Sequence, residues 1–194
     1  MSYTQSTERS GKLIKSARIG FTVSKLLGYS ADLPVKASII SDLAEEIWRE
    51  HYTPIIGAEQ VEYMLKKYQS AEQILTDISE NEYIYCIASE TQNDKPIGYS
   101  AVAPQESRLF LSKLYVLKEY RGRGVATALL DEAITLCRHE YKFDSIILTV
   151  NKNNKDAIAA YNKMGFITVR ELVTDIGAGF YMDDYQMELK IRTV

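Results

Sequence analysis

The residues best suited to chemistry are concentrated in one short stretch. Tyr120-Arg121-Gly122-Arg123-Gly124-Val125-Ala126 lies between an apolar run, Leu109 to Leu117, and a helical run from Thr127 onward. Two glycines at a strand-to-helix turn let the backbone close on an anion with no Cβ in the way, and glycine tolerates positive φ. The first amides of the following helix have no intrahelical acceptor and sit at the positive end of its dipole, where a phosphate is favoured. Arginine adds a charged fork for phosphate oxygens. A surface turn with solvated arginines is the plainer reading of the same residues. Farther along, Asn154-x-x-Ala157-x-x-x-Tyr161-x-x-x-Gly165-Phe166 places an amide side chain and a phenol on one predicted helix that stops at a glycine. A phenol can donate a proton without a metal. With fourteen tyrosines in the chain, however, a tyrosine alone says little.

These groups need a scaffold, and the pattern of the chain supplies one. Phe21 to Leu27 alternates as a first strand closed by Gly28. Ser30, Asp32 and Pro34 read as a helix start with Ser30 as the cap. Ile40, Leu43, Ala44 and Ile47 then recur at helical spacing, and this helix ends near Tyr52-Thr53-Pro54. A second helical region covers Ala58 to about Ile78 with a break near Ser70. Tyr83 to Ala88 and Ile97 to Ala103 form a hairpin around Thr91 to Pro96, and Leu109 to Leu117 is a third strand. After the glycine turn comes a helix bearing Leu129, Leu130, Ala133, Ile134 and Cys137. Ser145 to Val150 reads as a strand buried on both faces, and Lys155 to Met164 as a helix. Phe166 to Val173 and Phe180 to Ile191 close the chain around Gly177-Ala178-Gly179. Residues 1–20 are polar and read as a tail or docking arm, so one α/β domain over residues 21–194 with a mixed sheet is expected.

Composition limits the function classes. The chain has 194 residues, 46% hydrophobic and 25% charged, with a net charge of -3. That length gives one domain a proper core, and that charge makes no electrostatic case for nucleic acid or an anionic membrane. Cys86 and Cys137 make no disulfide scaffold, and His51 and His139 stand too far apart for a metal-ligand spacing, so no metal is expected. No apolar run reaches the roughly 18 residues of a membrane span, the amino terminus lacks the apolar core of a signal peptide, and the cytoplasm is the default address.

With strand, Arg121–Ala126 turn, helix, strand and the Asn154–Phe166 helix in that order, the chain resembles the GNAT superfamily of acetyl-CoA-dependent N-acetyltransferases. The family's phosphate loop, Arg/Gln-x-x-Gly-x-Gly/Ala, is matched by Arg121 to Ala126. The resemblance implies an α/β acyl-CoA N-acyltransferase fold, a central mixed, mostly antiparallel sheet flanked by helices. It implies that Leu114, Tyr115 and Val116 splay from the neighbouring strand and offer backbone groups to pantetheine. Arg121, Gly122, Arg123, Gly124, Val125 and Ala126, with the Thr127 hydroxyl, would hold the pyrophosphate of acetyl-CoA or CoA. Asn154 would lie beside the pantetheine, and Tyr161 would protonate the departing thiolate. A backbone amide, of Leu114 or Val116, would stabilise the oxyanion.

The acceptor side is less marked. Many members of the superfamily carry a glutamate on the strand before the phosphate loop, but Phe110, Leu111, Ser112, Lys113, Leu114, Tyr115 and Val116 include no carboxylate. A water chain to Glu50, His51, Ser112 or Tyr115 is the substitute. Trp48, His51 and Tyr52 end the first helix, a region that lines the acceptor cleft in this superfamily, and Tyr181 joins them as a substrate candidate. Asp183-Asp184 reads as a solvated edge, or as a pair that draws an ammonium group with aromatic faces from Tyr181 or Trp48. Trp48 to Pro54 and Phe180 to Asp183 loosely resemble the bacterial polyamine (spermidine/spermine) acetyltransferase branch. The expected partner is a small-molecule or peptide amine, and there is room for a homodimer. Acetylation of a protein amino terminus or lysine is the alternative within the class, and a non-catalytic CoA-binding sensor the alternative outside it.

Overall fold

The apolar runs pair into seven strands: β1 (Phe21–Lys25), β2 (Ile84–Glu90), β3 (Pro96–Gln105), β4 (Arg108–Val116), β5 (Ser145–Asn151), β6 (Ile167–Gly177) and β7 (Phe180–Lys190). The helices are α1 (Leu33–His51), α2 (Thr53–Ile56), α3 (Ala58–Tyr68), α4 (Ala71–Glu80), α5 (Val125–Thr135) and α6 (Lys155–Lys163). The computed structural model describes residues 20–26, 28 and 30–191, so the expected tail lies outside the described residues apart from Gly20. Among the described residues no helix is long and apolar enough to cross a membrane.

The sheet runs β1-β2-β3-β4-β5-β7-β6. Every neighbouring pair is antiparallel except β4 and β5, which makes it the mixed, mostly antiparallel α/β sheet that was expected. The parallel pairing is brief: Leu109 opposes Ile146, Phe110 opposes Ile147, and the ladder stops there. The reason lies on the other edge of β4. Its register against β3 shifts between Ala101, opposite Lys113, and Val102, opposite Leu111, so Ser112 is an extra residue. A bulge bends its strand and raises the local twist, and here it turns β4 away from β5. From Phe110 to Val116 on one side, and from Ile147 to Asn151 on the other, the two strands diverge.

Two apolar cores lie on either side of that divergence. One gathers β1–β3, α1, α3, α4 and the start of α5 around Ile40, Trp48, Ile74, Tyr85 and Leu129. The other gathers β5, β7 and the later part of α5 around Leu130, Ile146, Leu148, Phe166 and Met187. Leu114 of β4 packs on both, at the seam.

Three local expectations change. Ser30 is not the cap of α1: the helix starts after Asp32, whose side chain makes no capping hydrogen bond, and the Ser30 hydroxyl instead donates to the Asp32 carboxylate. Tertiary packing of Leu33 and Ala37 starts the helix later than local capping chemistry suggests. The break near Ser70 is a full restart, with the Ser70 hydroxyl capping α4 by accepting from Gln73 N at 3.2 Å. The β6–β7 hairpin is longer than read from sequence and is tied to α3. The Tyr63 hydroxyl and Lys67 Nζ both donate to the Ile176 carbonyl, Lys67 at 2.7 Å. Gly177 is required there: its φ is +92°, and a Cβ would come within 2.7 Å of the Tyr63 hydroxyl.

Candidate active site

The diverging strands open a cleft of about 680 Å³. Its walls are the free edge of β4 (Leu114, Tyr115, Val116), the glycine turn and first turn of α5, the end of α1 and one face of α6. α6 has no buried residue: Ala157 and Tyr161, with Met164 just past its end, pack on the edge of the second core and border the cleft as well, and Ala160 faces the cleft beside them. Alanines there leave room that larger side chains would fill.

At the floor of the turn Gly124 is the N-cap of α5 with φ +88°, and Gly122 has φ +72°. A left-handed residue other than glycine costs about 1–2 kcal/mol. The arrangement aims the unpaired amides of Val125, Ala126 and Thr127 at the cleft mouth. Arg121 has a different task from the expected phosphate fork. Its Nε donates to the Val116 carbonyl at 3.0 Å and its Nη2 to Glu50 at 3.4 Å, so the side chain ties the end of β4 to α1. Arg123 lies exposed over the Tyr120 ring and does not border the cleft. Val125 is buried beneath α5, so it has only its backbone to offer.

On the facing side Asn154 is 2% exposed and joins three elements. Its Oδ1 accepts from Ala157 N at 3.3 Å, capping α6, and lies 3.1 Å from His51 Nε2. A backbone N–H can only donate, which fixes Oδ1 at that position and puts the hydrogen of the His51 ring on Nε2. Asn154 Nδ2 then donates to the Tyr52 hydroxyl at 3.4 Å. Trp48 corrects an expectation: it is 2% exposed and absent from the cleft wall. It stacks on Tyr52 at 4.4 Å between centroids and meets Tyr115 edge-on at 5.8 Å, so it backs the wall. Tyr181 is 57% exposed and lies outside the cleft, its carbonyl accepting from Gln60.

The titrating groups separate into donors and acceptors. Burial raises the Tyr161 phenol well above its ordinary value, reinforced by Tyr52; it stays protonated at neutral pH, as a proton donor must. Burial also pushes Tyr52 up to about 12 and Tyr115 well above the phenol range. Glu50 is a poor base: a hydrogen bond from Lys118 and the charge of Arg121 hold its carboxyl below the usual range despite some desolvation. Sequence reading missed the cleft contacts of Ile47, Lys163 and Met164, of which the i+3 spacing from Tyr161 would have located Met164. It also read Asp183-Asp184 as a solvated edge or as a pair that draws an ammonium group to the cleft; the structure buries Asp184, pairs Asp183 with Lys152 and places neither on the cleft wall.

A cleft made where two strands part, floored by a glycine turn and a helix amino terminus and faced by a protonated tyrosine, is a candidate site for a nucleotide-linked thioester. The acetyltransferase (GNAT) family model matches residues 40–166, more than half of the chain, and the chain belongs to that family of acetyl-CoA-dependent N-acetyltransferases. An N-alpha-acetyltransferase of Saccharolobus solfataricus is 36% identical over 77 residues, 40% of this chain and 43% of that protein; the match therefore spans less than half of that curated relative. The structure of PaiA N-acetyltransferase from Thermoplasma acidophilum in complex with coenzyme A superposes with a TM-score of 0.71 at 23% identity, over 89% of this chain and 99% of that one. Spermidine N-acetyltransferase from Vibrio cholerae in complex with CoA and spermine gives 0.59 at 19% identity, over 88% and 95%. At these identities the two structures establish a shared fold.

Proposed function

We propose that this chain transfers the acetyl group of acetyl-CoA to a primary amine by direct attack in a ternary complex. The observation that carries the reading is convergence: the unpaired edge of β4, the amino terminus of α5 and Tyr161 all border one cleft. In this reading Leu114, Tyr115 and Val116 present backbone groups to the pantetheine amides. The turn from Arg121 to Thr127 receives the pyrophosphate, with Lys163 beside it. Acetyl-CoA supplies an acetyl thioester, an acyl group already activated for transfer. The protein orients it, offers a β4 amide to the developing oxyanion, and returns a proton to the departing sulfur from Tyr161.

For the acceptor, a small polyamine-like amine is the first reading, supported by the aromatic wall of Tyr52 and Tyr115 backed by Trp48. A peptide amino terminus is the second reading, favoured by the relative that is named an N-alpha-acetyltransferase. CoA-thiol release with spermidine, and separately with a tetrapeptide bearing a free amino terminus, discriminates between them. Acetyl-CoA is expected to raise the melting temperature by mass action. No shift at saturating acetyl-CoA would remove the donor from this proposal.

A further inference from the structure

The proposed transfer, on which this inference rests, needs a group in the cleft that can take a proton from the amine. The β4 strand carries no carboxylate, and burial holds the phenols of Tyr52, Tyr115 and Tyr161 protonated. Among the described residues of the cleft wall, Asp156 is the carboxylate and His51 the imidazole. Asp156 is exposed in the first turn of α6, where a carboxylate complements the helix dipole. Carboxylates ordinarily release their protons at about pH 4 and are weak bases for an amine. An imidazole ordinarily exchanges its proton between about pH 5 and 8.

His51 is the last residue of α1, and its ring is oriented from across the cleft. Ala157 N–H donates to Asn154 Oδ1 at 3.3 Å, which fixes that oxygen as an acceptor. The same oxygen lies 3.1 Å from His51 Nε2, so Nε2 carries the ring hydrogen and the lone pair sits on Nδ1. Nδ1 has no hydrogen-bond partner among the described residues and is not one of the buried unpartnered atoms, so it stays open to solvent on a residue that borders the cleft. The Tyr52 ring meets the imidazole edge-on at 5.0 Å between centroids, and Asn154 Nδ2 donates to the Tyr52 hydroxyl at 3.4 Å. Asn154 therefore caps α6, sets the histidine tautomer and steadies the ring beside it. The helix dipole alone would account for a histidine at the end of α1. It does not account for a hydrogen bond made across 103 residues to a side chain that is 2% exposed.

We propose that His51 is the general base of the transfer, taking the amine proton on Nδ1, and that Asn154 is the positioning residue that keeps that nitrogen free. The lone pair of the neutral amine forms the C–N bond to the acetyl carbon while the carbonyl electrons move to oxygen. The nitrogen then gives a proton to His51 Nδ1, and the imidazolium that forms keeps its Nε2–H on Asn154. Collapse of the oxyanion breaks the C–S bond, and the sulfur takes the proton of Tyr161. The products are the amide and CoA thiol; His51 gives its extra proton to solvent and Tyr161 recovers one. The charged and titratable groups around the ring come from four elements. Glu50 on its own helix is paired with Lys118 and Arg121 from the turn after β4. Tyr52 stands at the α1–α2 junction and Tyr115 on β4, and Asp156 and Tyr161 of α6 share the cleft wall.

With spermidine and the tetrapeptide as probes, His51→Ala is expected to lose about 100- to 10,000-fold in kcat/KM while retaining the acetyl-CoA melting shift, and added imidazole should restore part of the turnover. The acid limb of the wild-type kcat/KM profile should vanish in His51→Ala and persist in Asp156→Asn. Asn154→Asp keeps the cap and the acceptor for Nε2–H and adds a charge that favours the imidazolium, so its acid limb should move to higher pH. An acid limb left in place by Asn154→Asp would remove Asn154 from the positioning role. Independently of turnover, the ring 15N resonances of His51 in the wild type should report the Nε2–H tautomer. Full kcat/KM in His51→Ala, an acid limb that survives it, loss of that limb in Asp156→Asn, or an Nδ1–H tautomer would each overturn the proposal. No acetyl-CoA shift in the wild type would overturn the acetyl-transfer reading and this inference together; a normal shift with unchanged His51→Ala turnover overturns the inference alone.

Discussion

Asp77 and Asp184 are almost equally enclosed, 6% and 7% exposed, and their surroundings are opposite. Asp77, on α4, is fully partnered: Tyr85 donates to Oδ2 at 2.7 Å, Gln73 Nε2 to Oδ1 at 2.8 Å, and Lys113 Nζ stands 3.3 Å from Oδ2. The ammonium of Lys113 lies 5.2 Å from the centroids of both Tyr83 and Tyr85. Burial lowers the Lys113 pKa and Asp77 counters it, so the pair replaces the water that both groups lose. Asp184 has no such arrangement. Three donors hold the Asp77 carboxylate and tie α4 to the sheet, whereas Asp184 Oδ1 has no hydrogen-bond donor among the described residues. Equal burial therefore hides unequal partnering.

The contrast can be broken at either end. The largest effect is expected at the satisfied site: Asp77→Ala strands the Lys113 ammonium and should lower unfolding free energy by about 3–5 kcal/mol, read by urea denaturation, with acetyl-CoA affinity of the folded protein unchanged. At the cleft, Tyr161→Phe should lower kcat about 100-fold or more, roughly 3 kcal/mol of barrier, without moving the melting temperature; equal turnover would take Tyr161 out of the proton-donor role.

Asp184→Asn should do the reverse of Asp77→Ala and stabilise. The folded carboxyl, at about 6, lies above its ordinary 3.8, so the native state binds the proton more tightly and its ionisation opposes folding. The penalty is absent below about pH 4, grows between pH 4 and 6, and is complete above. At pH 8 the variant should gain up to about 3 kcal/mol, and the gain should disappear at pH 4. A gain independent of pH would mean that charge is not the cause. The smallest effect sharpens the role of the turn: Gly124→Ala, at φ +88°, should cost about 1–2 kcal/mol of stability and raise the KM for acetyl-CoA more than it lowers kcat.

Much of this was legible in the chain. The alternation and helical spacing gave the strands and helices, because each element must bury one face of its own residues. Gly122, Gly124, Asn154 and Tyr161 were legible because they do their work within a few residues of their neighbours: a positive φ, a helix cap, a helix face. Trp48, Tyr181 and Asp184 were not, because exposure is set by what packs from elsewhere. Trp48 was read as a cleft residue and is covered by β3 and β4; Asp183 and Asp184 were read as a solvated edge or as a pair drawing an ammonium group, and strand alternation sends one to solvent and one inward.

The sequence by itself determined the family and marked the glycine turn and Tyr161 as candidates for donor binding and proton donation, since their geometry is local and written in residue type and spacing. The tertiary structure decided where the cleft opens, through the Ser112 bulge that parts β4 from β5, and which of many polar side chains meet there. It also decided which buried carboxylate is paired, because that depends on groups up to 36 residues away, such as Lys113 at Asp77, and no local pattern records an absent partner.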